Sequence, residues 1–184
     1  TLLKNENSLI PLKTKSIIGH IAIGDDSGEV FENHLRKYNS IKKIKDITSI
    51  NVLDKTVNLD TLIVSFHRSN ATPWKASGFS TEEIKIISKL AKNKTLILDL
   101  FVKPYALSAI ESIKGIDVLL LSYQNSKASQ KLSVDGLFGA QKLNGSLPVD
   151  VSESYQEGAG IDQNVIHRTG YASDISLGFD SNKL

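Results

Sequence analysis

The alternation of short apolar runs with helical patterns is the feature that most constrains how this chain folds. Runs rich in Ile, Val and Leu predict strands at residues 16–23, 61–66, 95–102 and 116–123, with a weaker strand at 41–47. Continuous runs of this length are typical of strands buried on both faces of a sheet. Apolar residues at helical spacing predict helices at 29–38, 82–92, 105–114 and 128–138.

This order of elements predicts an α/β fold. Successive parallel strands need right-handed crossovers, which place helices on both faces of the sheet. We therefore expect a three-layer α/β/α sandwich with a mainly parallel, flavodoxin-like sheet over residues 13–151. Residues 1–12 are expected to lead into this domain from another one. Residues 152–184, rich in Gly, Ser, Asp and Asn, are expected to form a C-terminal tail or a linker to a following domain.

Composition excludes several classes of function. The chain of 184 residues carries 22 basic and 20 acidic side chains, spread along its length, so no nucleic-acid partner is expected. No apolar run is long enough to predict a membrane span. The absence of cysteine excludes disulfides, thiolate metal sites and cysteine nucleophiles. A chain that begins at Thr1 and contains no methionine is expected to be a fragment of a longer protein.

The loop after the third predicted strand is a candidate binding site. In parallel sheets, ligands bind beyond the carboxyl ends of the strands, and this loop, residues 67–79, begins at such an end. It holds His67, Arg68, Asn70 and Trp74, which we predict to lie near a substrate. Trp74 is placed either to stack on a sugar ring or to anchor the loop on the domain.

A second loop at the same edge is acidic. Asp25 and Asp26 follow the first predicted strand, and Glu29 follows at the start of a predicted helix. We expect the two aspartates to cap that helix. The alternative is Mg²⁺ binding in a signalling or binding module, as in phosphoacceptor receiver domains. A receiver needs an aspartate at the end of its third strand, where this chain has Ser65, Phe66 and His67.

The histidines do not predict a metal site. His20, His34, His67 and His167 are scattered, without the spacing of metal ligands, and we expect His20 and His34 to be packed in the domain. The sequence also has no nucleophile elbow, no phosphate loop and no dinucleotide fingerprint. We therefore predict no metal and no cofactor.

Two motifs, one near each end of the predicted domain, resemble a known family. TLLKNENSLIPL at residues 1–12 is similar to the segment that leads into the C-terminal domain of glycoside hydrolase family 3 enzymes, where a "LLKN" run precedes an "LPL"-like run. GLFG at 136–139, followed by NGSLPV at 144–149, is similar to the closing motif of that domain. The resemblance implies an upstream TIM barrel in the same polypeptide, carrying an aspartate nucleophile for a retaining reaction.

The loop at 67–79 distinguishes two branches of that family. β-Glucosidase-like members place a glutamate acid/base in the corresponding loop, but this loop contains neither Asp nor Glu. The resemblance therefore favours the β-N-acetylglucosaminidase-like branch, whose histidine acid/base belongs to the barrel. It implies a non-catalytic domain, inactive alone, in a parent that acts on an amino-sugar or peptidoglycan-type carbohydrate. The alternative is a β-glucosidase-type domain whose acid/base is Asp26 or Glu29.

The end of the chain carries a further resemblance. HRTGYASDISLGFDSNKL at residues 167–184 looks like the segment that leads into a serine β-lactamase-like domain, which is fused behind such hydrolases in some bacteria. This implies a downstream partner domain in the same polypeptide. The same inference implies a periplasmic or cell-surface setting in a bacterium.

Overall fold

A computed structural model of the protein describes residues 1–69 and 78–163. The strands in these residues are β1 (Leu2–Asn5), β2 (Ile18–Gly24), β3 (Ile41–Lys43), β4 (Thr61–His67), β5 (Thr95–Phe101) and β6 (Val118–Leu121). The α-helices are α1 (Glu29–Leu35), α2 (Val52–Lys55), α3 (Thr81–Asn93) and α4 (Lys127–Leu137). Two short 3₁₀ helices span Glu6–Ser8 and Pro104–Ala109.

The strands form one six-stranded sheet in the order β1-β6-β5-β4-β2-β3. Strands β2 to β6 are parallel to one another, and β1 pairs antiparallel with β6 at one edge. Without β1, the strand order is that of flavodoxin-like sheets, in which the chain first moves toward one edge and then returns toward the other. The predicted α/β fold with a mainly parallel sheet is confirmed.

Helices cover both faces of the sheet and create two separate cores. Helices α2 and α3 bury Val52, Ile86, Ile87 and Leu90 against one face. Helices α1 and α4 bury a second set against the other face: Phe31, Leu35, Val134 and Leu137. Because neighbouring residues of a strand point to opposite faces, β4 divides its side chains between the two cores.

Helix α3 is the element that the sequence predicts best. Its buried residues recur at the spacing of one helix face. Ser80 is the N-cap residue and accepts a hydrogen bond from the Glu83 N–H, while the Glu83 side chain accepts one from the Ser80 N–H. This capping box satisfies donors that would otherwise lack partners at the start of the helix.

Other predicted boundaries were wrong. The helix predicted at 105–114 is a 3₁₀ helix over Pro104–Ala109, continued by turns in which Ile110 N–H bonds Leu107 O and Ile113 N–H bonds Ile110 O. These tight turns pack Leu107 and Ile110 on the sheet without an α-helix. The helix predicted at 29–38 ends at Leu35 and is followed by a turn.

The two ends of the described chain meet beside the edge strand. The first residues, predicted to lead into the domain, supply β1, and Leu12 N–H donates to Leu137 O at 2.8 Å. The chain after α4 turns back, so that Leu147 N–H bonds Ala159 O and Ile161 N–H bonds Leu2 O. The start of the predicted tail therefore packs on the domain, and the predicted linker beyond residue 163 lies outside the described residues. No helix in the described ranges is long and apolar enough to cross a membrane.

Candidate functional site

The candidate site lies between β2 and β4. The strand order reverses here, because β3 lies on one side of β2 whereas β4, β5 and β6 extend the sheet on the other side. The loop after β2 and the segment after β4 leave the carboxyl ends of two neighbouring parallel strands, which is where α/β sheets bind ligands. They are joined by two backbone donors: Asp25 N–H bonds His67 O at 2.9 Å, and Ser69 N–H bonds Asp25 Oδ2 at 3.0 Å. The predicted acidic loop and the predicted binding loop thus meet in the structure.

Arg68 holds this edge together. Its Nη2 donates to both carboxylate oxygens of Glu83, at 2.8 and 2.6 Å, its Nη1 lies 3.8 Å from Asp25 Oδ1, and its guanidinium sits 4.3 Å from the centre of the Phe66 ring. Burial alone would raise the pKa of Glu83, but hydrogen bonds from Arg68 and Ser80 outweigh it and lower that pKa. The guanidinium predicted to lie near a substrate is engaged by the protein itself.

His67 is the last residue of β4, and its side chain is fully buried. Its Nε2 is 2.9 Å from Ser65 Oγ, its Nδ1 is 2.9 Å from Asn125 Oδ1, and its ring stacks on Phe101 at a centroid distance of 4.8 Å. Burial lowers the pKa of His67. Asn70 and Trp74, the other predicted substrate-proximal residues, lie outside the described residues.

His20 shares the Ser65 hydroxyl with His67. Its Nε2 is 2.8 Å from Ser65 Oγ, and its Nδ1 is 3.3 Å from Glu32 Oε2. His20 is fully buried, as predicted, and burial lowers its pKa, although the hydrogen bond to Glu32 opposes this. The hydrogen bond with His20, together with those from Arg36 and Lys43, lowers the pKa of Glu32 to about 2.

Glu32, His20 and Ser65 have the hydrogen-bond order of a catalytic acid–base–nucleophile triad. However, Ser65 is fully buried and its hydroxyl is shared by a second imidazole. A serine nucleophile has to reach a substrate carbonyl, and this one lies under helix α1, where the Phe31 and His20 rings are 5.4 Å apart. The arrangement is a core hydrogen-bond network. Sequence reasoning missed it because the three residues come from β4, α1 and β2.

Asp26 connects the hydrogen-bond network of His20, Ser65 and His67 to the loop after β2. Its Oδ1 accepts from Gly28 N–H at 2.9 Å, and its Oδ2 lies 3.3 Å from Asn125 Nδ2 and 3.4 Å from Gln130 Nε2. The prediction that the aspartates cap α1 is wrong, because the N-cap residue is Gly28, in the left-handed conformation with φ 64°, and no side chain caps the helix. Glu29 is exposed at the first position of α1.

A second polar group lies in the same core layer. Asp99 is fully buried on β5, directly opposite Ser65 of β4, and accepts hydrogen bonds from the hydroxyls of Ser133 and of Ser122, the latter at 2.7 Å. Burial raises the pKa of Asp99 to about 6, although the two serine hydrogen bonds oppose the change. The sequence signal for this group is an aspartate inside an otherwise apolar strand.

The described residues of the site do not form a metal centre. Across 1–69 and 78–163, no three His, Asp or Glu side chains are grouped so as to hold a metal ion. Asp25 accepts a hydrogen bond from the Ser69 N–H of the segment after β4, and Asp26 accepts one from the Gly28 N–H of its own loop. The described part of the site is therefore a set of polar side chains that hold the strand ends in place.

The fold and this edge define the class of the protein: an α/β sandwich domain with flavodoxin-like strand order and an added antiparallel edge strand. No protein-family model and no curated protein sequence matches the chain.

Solved structures that share this fold include parts of two larger proteins. One is a fungal multi-domain GH3 β-N-acetylglucosaminidase with a GCN5-related glucosamine N-acetyltransferase region, with a TM-score of 0.63 and 16% identity over 88% of this chain and 19% of that one. The other is a β-glucosidase from Paenibacillus barengoltzii, with a TM-score of 0.58 and 14% identity over 80% of this chain and 22% of that one. The chain thus spans about a fifth of each protein.

Proposed function

We propose that this chain is the C-terminal α/β domain of a glycoside hydrolase family 3 protein of the β-N-acetylhexosaminidase type. In this proposal it is non-catalytic and packs against an upstream TIM barrel of the same polypeptide. It shapes the active site for an amino-sugar or peptidoglycan-type carbohydrate. The proposal is supported by the two family-like motifs and by the similarity of the fold to parts of two glycosidase structures.

The observation that carries the proposal is that the two motifs meet. Leu12, in the first motif, donates its N–H to the carbonyl of Leu137 in the second. The Thr1 hydroxyl donates to Ser146 O at 3.2 Å, and Ile161 N–H bonds Leu2 O. Motifs that are far apart in sequence and form one structural unit are better evidence for a shared domain type than either string alone.

The direction of β1 supports an upstream domain at the site. Because β1 runs antiparallel to the other strands, its first residue lies at their carboxyl edge, where Thr1 and Leu121 exchange backbone hydrogen bonds of 2.8 Å. A domain that precedes Thr1 would then join the chain at the same edge as the Asp25 loop and the segment after His67. In the proposal, this edge faces the barrel.

The non-catalytic role is supported by the side chains of the loop that follows β4. The loop at 67–79 contains no Asp or Glu, so the acid/base of a β-glucosidase-like member has no counterpart there. His67 is fully buried, and Arg68 is committed to Glu83. Proton transfer is therefore assigned to the barrel.

The proposal also includes a domain that follows this chain and a location in the cell. The resemblance at residues 167–184 is the basis for proposing a downstream serine β-lactamase-like domain. A bacterial periplasmic or cell-surface location is proposed on the same basis.

The test compares two proteins on the same substrates. This chain alone and the intact parent are assayed with a chromogenic N-acetyl-β-glucosaminide and a chromogenic β-glucoside. We expect turnover of the N-acetyl substrate by the parent only. Turnover by the 184-residue chain alone would contradict the non-catalytic role, and a parent that prefers the β-glucoside would contradict the branch.

A β-glucosidase-type role is the second candidate, because one of the similar structures is a β-glucosidase and Glu29 is exposed beside the acidic loop. In the parent, Glu29→Gln and Asp26→Asn would each be measured against the wild type. A true acid/base lowers the rate by about 10² to 10⁴-fold. Rates unchanged in both variants would leave the first candidate standing.

A further inference from the structure

The orientation of two side-chain amides, those of Gln130 and Asn125, is fixed by a backbone donor. Phe31 N–H, in the first turn of α1, can only donate, so the Gln130 atom at 3.0 Å is Oε1. Gln130 Nε2 then faces Asn125 at 2.8 Å, and because an amide NH₂ can only donate, the Asn125 atom is Oδ1. Neither assignment rests on a choice between nitrogen and oxygen by shape alone.

The same logic fixes the tautomer of His67. Asn125 Oδ1 is an acceptor 2.9 Å from His67 Nδ1, so Nδ1 carries a hydrogen. In the neutral ring, Nε2 is then an acceptor, and its partner at 2.9 Å is the Ser65 hydroxyl. Ser65 therefore uses its one hydrogen toward His67.

At the other end of the network, His20 has two acceptors as neighbours. Ser65 Oγ, having donated to His67, accepts from His20 Nε2 at 2.8 Å. Glu32 Oε2, 3.3 Å from His20 Nδ1, also receives Lys43 Nζ at 3.0 Å, and its partner oxygen receives Arg36 Nη2 at 2.9 Å, so this carboxyl is ionised and can only accept. A neutral His20 has one N–H and can satisfy one of these two acceptors, whereas an imidazolium satisfies both.

We propose that His20 and His67, joined through Ser65, form a buried site that takes up one proton, which resides on His20. With that proton, every contact from Glu32 to Asn125 pairs a donor with an acceptor. Without it, one contact fails. A second proton would place two imidazolium rings on one hydroxyl oxygen, and their repulsion opposes it.

The charges around the pair agree with a single proton taken up on acidification. Burial lowers the pKa of both rings, so a proton is taken up only on acidification. Glu32 favours the charge on His20, whereas Lys43 and Arg36 oppose it. The hydrogen bond with Asn125 and the charge of Asp26 favour a proton on His67, whereas His20 opposes it. The other rings packed on the pair, Phe31 and Phe101, carry no charge. Asp99, the titratable group opposite Ser65 on β5, accepts its hydrogen bonds from Ser122 and Ser133.

The proton is linked to the edge of the sheet. Protonated His20 donates to Ser65, whose hydroxyl hydrogen points to His67 in the tautomer that bonds Asn125. Asn125 in turn bonds Asp26 in the loop after β2. A continuous series of hydrogen bonds therefore joins the proposed proton on His20 to the Asp26 loop, independently of any glycosidase activity.

Nitrogen NMR of the imidazoles in the 184-residue chain, titrated from neutral toward acidic pH, tests the proposal. We expect His67 to remain the neutral Nδ1–H tautomer and both nitrogens of His20 to acquire imidazolium shifts with one midpoint. Glu32→Gln should lower that midpoint by about 1 to 3 pH units. Glu29→Gln, an exposed change on the same helix, should leave it unchanged.

Three outcomes would overturn the proposal. They are a His67 ring found as the Nε2–H tautomer, proton uptake by both rings, and a His20 ring that stays neutral until the native spectrum is lost. Ser65→Ala gives a second measurement if Glu32→Gln does not fold. Without the shared hydroxyl, an imidazolium His20 loses one of its two acceptors, so its midpoint should fall, and an unchanged midpoint would also count against the proposal.

Discussion

Arg68 donates from Nη2 to both carboxylate oxygens of Glu83, so the end of β4 is tied to the first turn of α3. Both side chains are largely shielded, with exposed fractions of 11% and 15%. Glu83 also closes the capping box with Ser80. One ion pair thus fixes a helix start and the segment from which the candidate binding loop departs.

Glu83→Gln is expected to lower the free energy of unfolding by about 1 to 2 kcal/mol, because a partly shielded arginine loses its charged partner. The loss is smaller than for a fully buried pair because solvent screens part of the interaction. Urea denaturation of the purified chain measures it. Glu82→Gln, an exposed neighbour in the same turn, is the control and should change stability much less. Equal losses in the two variants would show that the ion pair adds nothing beyond the helix start.

Gly28→Ala is expected to be destabilising by about 2 kcal/mol or more. Gly28 has φ 64°, and an added Cβ would lie 2.7 Å from Ala22 Cβ, 3.2 Å from His20 Cε1 and 3.3 Å from His67 Nε2. Gly158→Ala measures the cost of the left-handed backbone conformation alone, since Gly158 has φ 82° and open space around it. Its expected loss is about 1 kcal/mol. Thermal unfolding compares the two, and the prediction fails if Gly158→Ala is the more damaging change.

Asp99→Asn is expected to change the pH dependence of stability. The pKa of Asp99 is raised to about 6 in the folded chain, so its contribution to stability is fully present below its unfolded value of 3.8 and is lost as the pH rises through 6. The variant lacks this loss. Its stability relative to the wild type should therefore rise between pH 4 and pH 7, by roughly 3 kcal/mol.

Urea denaturation at a series of pH values checks the Asp99 prediction through the slope of the difference. A constant offset between the proteins does not bear on it, since the amide changes the hydrogen bonds with Ser122 and Ser133 at every pH. Asp60→Asn, an exposed substitution, is the control. A difference from wild type that is flat across the series would refute the prediction.

Leu2→Ala tests whether the first residues belong to the domain. Leu2 is fully buried in the core beneath α1 and α4, so truncation should cost about 2 to 5 kcal/mol. Leu3→Ala is the matched control, because Leu3 is only partly buried against the opposite face. The two are compared by chemical denaturation. If Leu2→Ala proves no worse than Leu3→Ala, β1 is dispensable to the fold.

The fold was largely predictable from local patterns. Buried parallel strands require continuous apolar runs, and the helices between them require one apolar face, so both leave a signal within a few residues of sequence. The runs at 61–66 and 95–102 became β4 and β5, and the helical pattern at 82–92 became α3. Strand β1 was missed because LLKN is short and gains its partner from β6, far along the chain.

The candidate site was predictable only in part. The sequence indicated that both loops lie at the carboxyl edge of the sheet, because parallel strands place their ends together. That the two loops meet was decided by the pairing of β2 with β4. It did not reveal that Arg68 is held by Glu83, or that Asp26 bonds Asn125 and Gln130. Those contacts join segments whose distance apart depends on helix packing.

The sequence by itself therefore determined the class of fold, the order of its main elements and the edge at which a ligand is expected, because each follows from periodicity along the chain. The tertiary structure alone decided the chemistry of the interior. His20, Ser65 and Asp99 stand on three different strands, and only their pairing in the sheet brings them to one face. A polar residue in an apolar strand indicates that a hydrogen-bond partner is needed. Which residue becomes that partner depends on which strand becomes the neighbour.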